Sequence, residues 1–194
     1  MLDNLNKYNI VLASNSPRRR ELLAGLGIPF EVRVPDDIDE SYPAGELKAH
    51  DVPLYIAAKK ADGNRIYMNP RDLLITADTV VIAEGEILGK PSDKSEACRM
   101  LHKLSGKTHC VVTGVCLTTS DRQSRFSVST DVTFKTLADE EIDYYVSTCR
   151  PFDKAGAYGI QEWIGYIGVT GLSGSYFNVV GLPVQRIYSE LLKF

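Results

Sequence analysis

The longest apolar run in the chain, Leu73-Leu74-Ile75-Thr76-Ala77-Asp78-Thr79-Val80-Val81-Ile82, is rich in β-branched residues and has little polar alternation. That is the pattern of a strand covered on both faces in the middle of a sheet. Asp78 interrupts it. An ionised carboxylate withdrawn from water is costly unless a cation or several donors meet it, so partners are expected nearby. Ala83-Glu84-Gly85 resembles a three-residue hairpin loop, with Glu86 to Pro91 returning as a second strand that sets Lys90 opposite Asp78. A two-residue turn sets Lys90 opposite Thr79 instead. A structural ion pair inside a sheet is the plain alternative to a functional carboxylate.

The remaining periodicities alternate between helix and strand. Ile10 to Ala13 is a short apolar strand, and Ser16 as N-cap with Pro17 at the first helical position opens a helix carrying Leu22, Leu23 and Leu26, stopped by Gly25 to Gly27. Phe30 to Val34 alternates as a strand, Leu47 to Asn64 as a helix, and Ser92 to Leu104 as a helix with a cap signal in Ser92, Ser95 and Glu96. His109 to Thr118 and Ser124 to Lys135 read as two strands joined by a polar turn. The second has the period of a half-exposed antiparallel strand. Thr136 to Asp139 caps a helix running to about Val146, Pro151 to Pro183 is a glycine- and aromatic-rich irregular stretch, and Pro183 starts a last helix through Leu192.

At 194 residues, with 44% hydrophobic and 24% charged content, the chain is expected to form one globular domain over 1–194, with two lobes allowed. The formal net charge of −3 supplies no overall basic field, so nucleic acid is not an expected partner. No segment has the length and apolarity of a membrane span, and the polar start lacks a signal-peptide pattern, so a cytoplasmic location without membrane contact is expected. Cys98, Cys110, Cys116 and Cys149 have neither disulfide-framework nor zinc spacing.

Three stretches carry candidate chemistry. Arg18-Arg19-Arg20 place cations at the positive end of a helix dipole, an unfavourable arrangement that an anion reverses. Together with Ser14, Ser16 and the free N–H groups they form a candidate phosphate cradle, a solvated basic turn being the alternative. Asp36, Asp37, Asp39 and Glu40 could hold a hard cation or simply meet water. Ser105-Gly106-Lys107-Thr108 is not a phosphate-binding P-loop. Leu101 stands where that motif needs glycine, and the segment follows a helix where the motif follows a strand.

Several fragments together resemble one family. Leu12-Ala13-Ser14-Asn15-Ser16-Pro17-Arg18-Arg19, Asp39-Glu40-Ser41, Lys60-Ala61, Ala77-Asp78-Thr79-Val80-Val81, Gly89-Lys90-Pro91, Gly156-Ala157-Tyr158-Gly159-Ile160-Gln161 and Asn178-Val179-Val180-Gly181-Leu182-Pro183 are similar to the Maf nucleoside triphosphate pyrophosphatases, in the family's order and across nearly the whole chain. The resemblance implies an α/β fold with an elongated mixed sheet flanked by helices and two lobes around a central cleft, as in the inosine triphosphatases. It implies hydrolysis of a nucleoside triphosphate to monophosphate and pyrophosphate with a divalent metal, Mg²⁺ or Mn²⁺, and a homodimer as the candidate assembly.

Residue by residue, the resemblance puts Ser14, Arg18, Arg19, Lys60 and Lys90 at the triphosphate, and Glu40 and Asp78 at the metal with Asp78 as proton acceptor. It puts base selection on Arg18, Thr79 and Gln161. That combination is similar to the dTTP/UTP subfamily, which implies a house-cleaning role toward dTTP, UTP and modified pyrimidine analogues. A nucleotide-sensing regulator of cell division, binding a triphosphate without turnover, is the alternative of a different class.

Overall fold

The computed structural model describes residues 2–35 and 38–194. The elements in order are β1 (Asn9–Leu12), α1 (Pro17–Ala24), β2 (Glu31–Val32), α2 (Val52–Asn64), β3 (Asp72–Ala83), β4 (Glu86–Leu88), α3 (Lys94–Leu104), β5 (Thr108–Thr118), β6 (Gln123–Phe134), α4 (Asp139–Cys149), α5 (Trp163–Gly168), β7 (Val169–Ser173), α6 (Tyr176–Val180) and α7 (Val184–Leu191). The seven strands form one sheet in the order β2-β1-β3-β5-β6-β7, with β4 paired to β3. The β1–β2 and β1–β3 pairings are parallel, while β3–β4 and β6–β7 are antiparallel. The fold is therefore α/β with a mixed sheet, as the alternation of helical and strand periods predicts.

The chain divides into two compact units, each discontinuous in sequence. The first comprises 1–78, 113–128 and 181–194, the second 79–112 and 129–180. Each unit has its own core. In the first, Leu12, Leu23, Leu73, Ile75, Val115, Leu117, Ile187 and Leu191 pack together around β1, β3 and β5. In the second, Leu101, Leu104, Val132, Phe134, Ile142, Tyr145 and Ile164 do the same. Among the described residues no helix is long and apolar enough to cross a membrane. The four cysteines are free thiols.

Local signals held where the chemistry is local. Ser16 caps α1 by accepting from the Arg19 N–H at 3.4 Å, with Pro17 in the first turn. Other boundaries moved. Helix α2 begins at Val52, five residues after the expected Leu47, because Pro53 lacks an N–H and is tolerated only in a first turn. The α3 N-cap is Asp93, which accepts from the Glu96 N–H at 2.8 Å, while Glu96 reaches back to the Ser92 N–H at 2.7 Å. The reciprocal cap predicted at Ser92 thus sits one residue later. Strand β2 is only Glu31–Val32, paired on one side, where five residues were expected. Helix α4 runs on to Cys149. The stretch 151–183 is not irregular throughout. It contains α5, edge strand β7 and α6, with Asn178 buried and donating to Val111 O at 3.1 Å and Thr130 Oγ1 at 3.0 Å.

The β3–β4 hairpin decides the register left open by sequence. Ala83 pairs with Glu86 and Val81 with Leu88, so the loop is the two residues Glu84 and Gly85, both at positive φ (53° and 81°). A two-residue loop with both φ positive matches the twist of the strands it joins. Continued past Leu88, this register brings Lys90 level with Thr79, not with Asp78.

The second core encloses an ionisable group. His109 donates to or accepts from Tyr158 Oη at 2.7 Å, stacks edge-on against Phe134 and Tyr158, and has its Nδ1 buried without a partner among the described residues. Burial lowers its pKa to about 4, only partly opposed by Asp131. The unfolded chain, with an ordinary histidine near 6.5, then binds the proton that the folded chain refuses, so stability falls as pH drops from about 6.5 to 4. The expected loss is about 3 kcal/mol across that window. Thermal melts of the wild type and His109→Gln at pH 7, 6, 5 and 4 check it. The variant's melting temperature should vary less over this range, and parallel curves would refute the assignment.

Candidate active site

In the first unit, one helix–strand contact builds the charged centre. The backbone of α2 approaches β5 so closely that a Cβ on Gly114 would lie 2.3 Å from the Leu54 backbone N, which only glycine permits. On β3, Thr76 Oγ1 donates to Ala57 O of α2 at 2.7 Å, both groups buried. Asp78 follows Thr76 by two residues and so shares its strand face, while Lys60 follows Ala57 by one helical turn. The Lys60 ammonium accordingly meets Asp78 Oδ1 at 3.0 Å. It also meets Glu40 Oε2 at 3.1 Å, so one cation joins two carboxylates. The side chains are 11%, 16% and 60% exposed for Lys60, Asp78 and Glu40, so Asp78 is the carboxylate most withdrawn from water and Glu40 opens to solvent. Within β3 the burial is continuous except at Asp78 and Thr79.

The N-terminus of α1 adjoins this centre. Arg19 donates through Nε to Gly181 O at 2.9 Å and through Nη1 to Ala77 O at 2.8 Å, with Ser14 Oγ at 3.5 Å. Burial lowers its pKa, while the charges of Asp78 and Glu40 push it up and Arg18 adds to the lowering. Asp78, Glu40 and Arg18 thus all lie within electrostatic reach of Arg19. Ser14 is buried and accepts from the Ser16 N–H at 3.2 Å. The structure therefore brings together Ser14, Arg18, Arg19, Glu40, Lys60 and Asp78. It corrects one expectation, since the cation paired with Asp78 comes from α2 and is Lys60, where sequence reading had turned to Lys90 on the hairpin.

Within the acidic stretch, Asp39 is already engaged. Asp39 is held by Lys59 and by the Ser41 N–H and hydroxyl, led by Lys59, which pulls its carboxyl down to about 2. Asp36 and Asp37 lie outside the described residues. Among the described residues no group of three or more His, Cys, Asp or Glu side chains has the arrangement of a metal site. Two carboxylates converging on one ammonium are nevertheless a fitting donor set for Mg²⁺ or Mn²⁺, since such ions are commonly held by one or two carboxylates with substrate phosphates completing the shell.

Thr79, Lys90 and Gln161 belong to the second unit. Lys90 is exposed just after β4, Thr79 is half-buried in β3, and Gln161 lies between Ile160 and the start of α5, its Oε1 buried without a hydrogen-bond partner among the described residues. Around Gln161 is a polar network that the sequence did not signal. Lys154, almost fully buried, pairs with Glu162 Oε1 at 3.0 Å and with Asp153 at 2.8 Å. Tyr145 donates to Glu162 Oε2, and burial together with that carboxylate raises the phenol's pKa well above its usual range, so the donor proton stays. A buried lysine beside a glutamate eight residues on has no periodic signature.

Over 193 residues, covering 100% of both chains, the sequence is 62% identical to a dTTP/UTP pyrophosphatase of Phocaeicola vulgatus. It is 56% identical over 193 residues, again 100% of both, to one of Bacteroides thetaiotaomicron. It is 43% identical over 189 residues to one of Flavobacterium johnsoniae, covering 97% of this chain and 96% of that one. Among solved structures, the Staphylococcus aureus Ham1 protein matches at 18% identity and a TM-score of 0.49, covering 68% of this chain and 72% of that one. The family description "Maf-like protein" matches residues 9–194, from the first strand through the final helix, and the chain belongs to the Maf family.

Proposed function

We propose that the protein is a nucleoside triphosphate pyrophosphatase that hydrolyses dTTP, UTP and modified analogues of these pyrimidine nucleotides to the monophosphate and pyrophosphate. The observation that carries this reading is the Lys60 ammonium joining Asp78 and Glu40 beside the arginine-bearing N-terminus of α1. The names of the relatives support dTTP and UTP as substrates. Asp78 Oδ1 accepts from Lys60, and its second oxygen is the proposed proton acceptor for the attacking water. Ser14, Arg18, Arg19, Lys60 and Lys90 neutralise and orient the triphosphate, because phosphoryl chemistry depends mostly on positioning and charge. Glu40 and Asp78 would hold Mg²⁺ or Mn²⁺, which when bound supplies further charge neutralisation and a more acidic water.

Base choice falls to Arg18, Thr79 and Gln161. The unpartnered Gln161 Oε1 is suited to a donor, and uracil and thymine offer N3–H flanked by carbonyls that the same amide's Nε2 can meet. Cytosine inverts this edge, with an acceptor at N3 and a 4-amino donor, so an amide oriented for uracil would set its oxygen against N3 and leave it unpaired. Leaving one such buried group unmet costs about 1–3 kcal/mol, so UTP should exceed CTP by about 10- to 100-fold in kcat/KM.

The test is turnover of the purified protein with Mg²⁺ against a panel of triphosphates, with products separated by chromatography. Monophosphate and pyrophosphate from dTTP and UTP are expected. A nucleoside diphosphate as first product, or preference for a purine triphosphate, would overturn the reading. Tight binding without turnover would instead favour a nucleotide-sensing regulator.

A further inference from the structure

The segment from Gly159 to Glu162 is a tight turn closed twice. Its backbone closure is the Glu162 N–H donating to Gly159 O at 3.0 Å. The second closure comes from α4. Tyr145 Oη accepts from the Gly159 N–H at 3.0 Å and donates to Glu162 Oε2. One phenol oxygen thus ties the first and fourth residues of the turn, and the two residues between them are Ile160 and Gln161.

The surroundings reinforce this tie. Glu162 Oε1 is taken by Lys154 Nζ at 3.0 Å, so both carboxylate oxygens are held, one by a phenol and one by an ammonium. The Glu162 carbonyl accepts from the Gly165 N–H at 2.9 Å, which starts α5 immediately beyond the turn. Tyr145 is fully buried and Ile160 nearly so, leaving the turn little freedom to shift. Gln161 is carried in the middle of this frame with its amide oxygen buried. An amide on a loose loop would rotate toward water, where its hydrogen-bonding needs are met at no cost. Keeping it inside requires that the turn itself be fixed.

We infer that Tyr145 is a positioning residue for base selection, clamping the Gly159–Glu162 turn so that the Gln161 amide is presented to the base in one orientation. This rests on the reading of Gln161 as the base-contacting side chain. Tyr145 acts through the turn that carries Gln161, so its effect falls on recognition of the base.

Tyr145→Phe removes only the hydroxyl and keeps the ring in the core. The UTP over CTP ratio of kcat/KM should fall by about tenfold through a rise in the KM for UTP, a displaced contact being enough for losses of this size. A second readout does not involve catalysis. The Gln161 side-chain amide signals in a ¹⁵N spectrum, identified by their loss in Gln161→Ala, should shift or broaden in Tyr145→Phe. Unmoved signals with an unchanged ratio overturn the clamp. So does an equal fall in kcat for every nucleotide with the signals in place, which marks a purely structural tyrosine. Displaced signals with an unchanged ratio keep the clamp and overturn instead the reading of Gln161, as does a Gln161→Ala variant of unaltered selectivity.

Discussion

Asp78→Asn is expected to fold, to bind a non-hydrolysable triphosphate and to lose about 10²–10⁴-fold in turnover, the range for removing a general base. Asparagine has the same shape, and its Oδ1 can still accept from Lys60, so the α2–β3 contact set by Thr76 and Ala57 persists. What disappears is the negative charge and the ability to take a proton. Lys60 keeps Glu40 as a counter-charge at 3.1 Å, so the ammonium is not stranded. The measurements are kcat under saturating UTP and the dissociation constant of the analogue. Turnover near that of the wild type in a folded variant would remove Asp78 from the role of base.

Lys60→Met should act on stability and turnover together, and metal should partly undo the first effect. Breaking a fully buried ion pair by deleting one partner costs about 3–5 kcal/mol; Asp78 is 16% exposed and Glu40 60%, so about 1–3 kcal/mol is expected here. The two carboxylates then lose the ammonium that they share. Mg²⁺ can serve in place of the ammonium, and a ligand that binds only the folded state stabilises it by mass action. The variant's melting temperature should therefore rise more with added Mg²⁺ than the wild type's does. Turnover should fall by about 10²-fold, as when one charge-stabilising donor is removed. A variant that melts with the wild type in the absence of Mg²⁺ would show that Lys60 does not balance the pair.

How far these residues could be read from sequence follows from the range of the forces that place them. Helix α1 was legible because Ser16 and Pro17 act within four residues of each other, and β3 because its apolar run is unbroken by loop residues. The hairpin partner of Asp78 was not, since a loop of two or three residues differs by one position and one position exchanges Asp78 for Thr79. The true counter-ion, Lys60, stands 18 residues away on a helix whose approach depends on Gly114 leaving space. Strand β7 escaped notice because Val169–Ser173 contains a glycine and little apolar alternation; it is a strand chiefly by pairing with β6. The Tyr145–Glu162–Lys154 network is likewise a product of tertiary packing, and only the fold brings its members together.

The division of the chain also bears on the order in which it can fold as it leaves the ribosome. Every segment of the second unit has been made once residue 180 is synthesised, whereas the first unit still lacks 181–194, which supplies Leu182, Val184, Ile187 and Leu191 to its core and the Gly181 carbonyl to Arg19. The half that is begun first, and that carries Asp78 and Lys60, is therefore the last to close. Released chains that end before Leu182 will hold the strand that carries Asp78 in an open, unfinished core, exposed to proteases and chaperones, although every segment of the second unit is present.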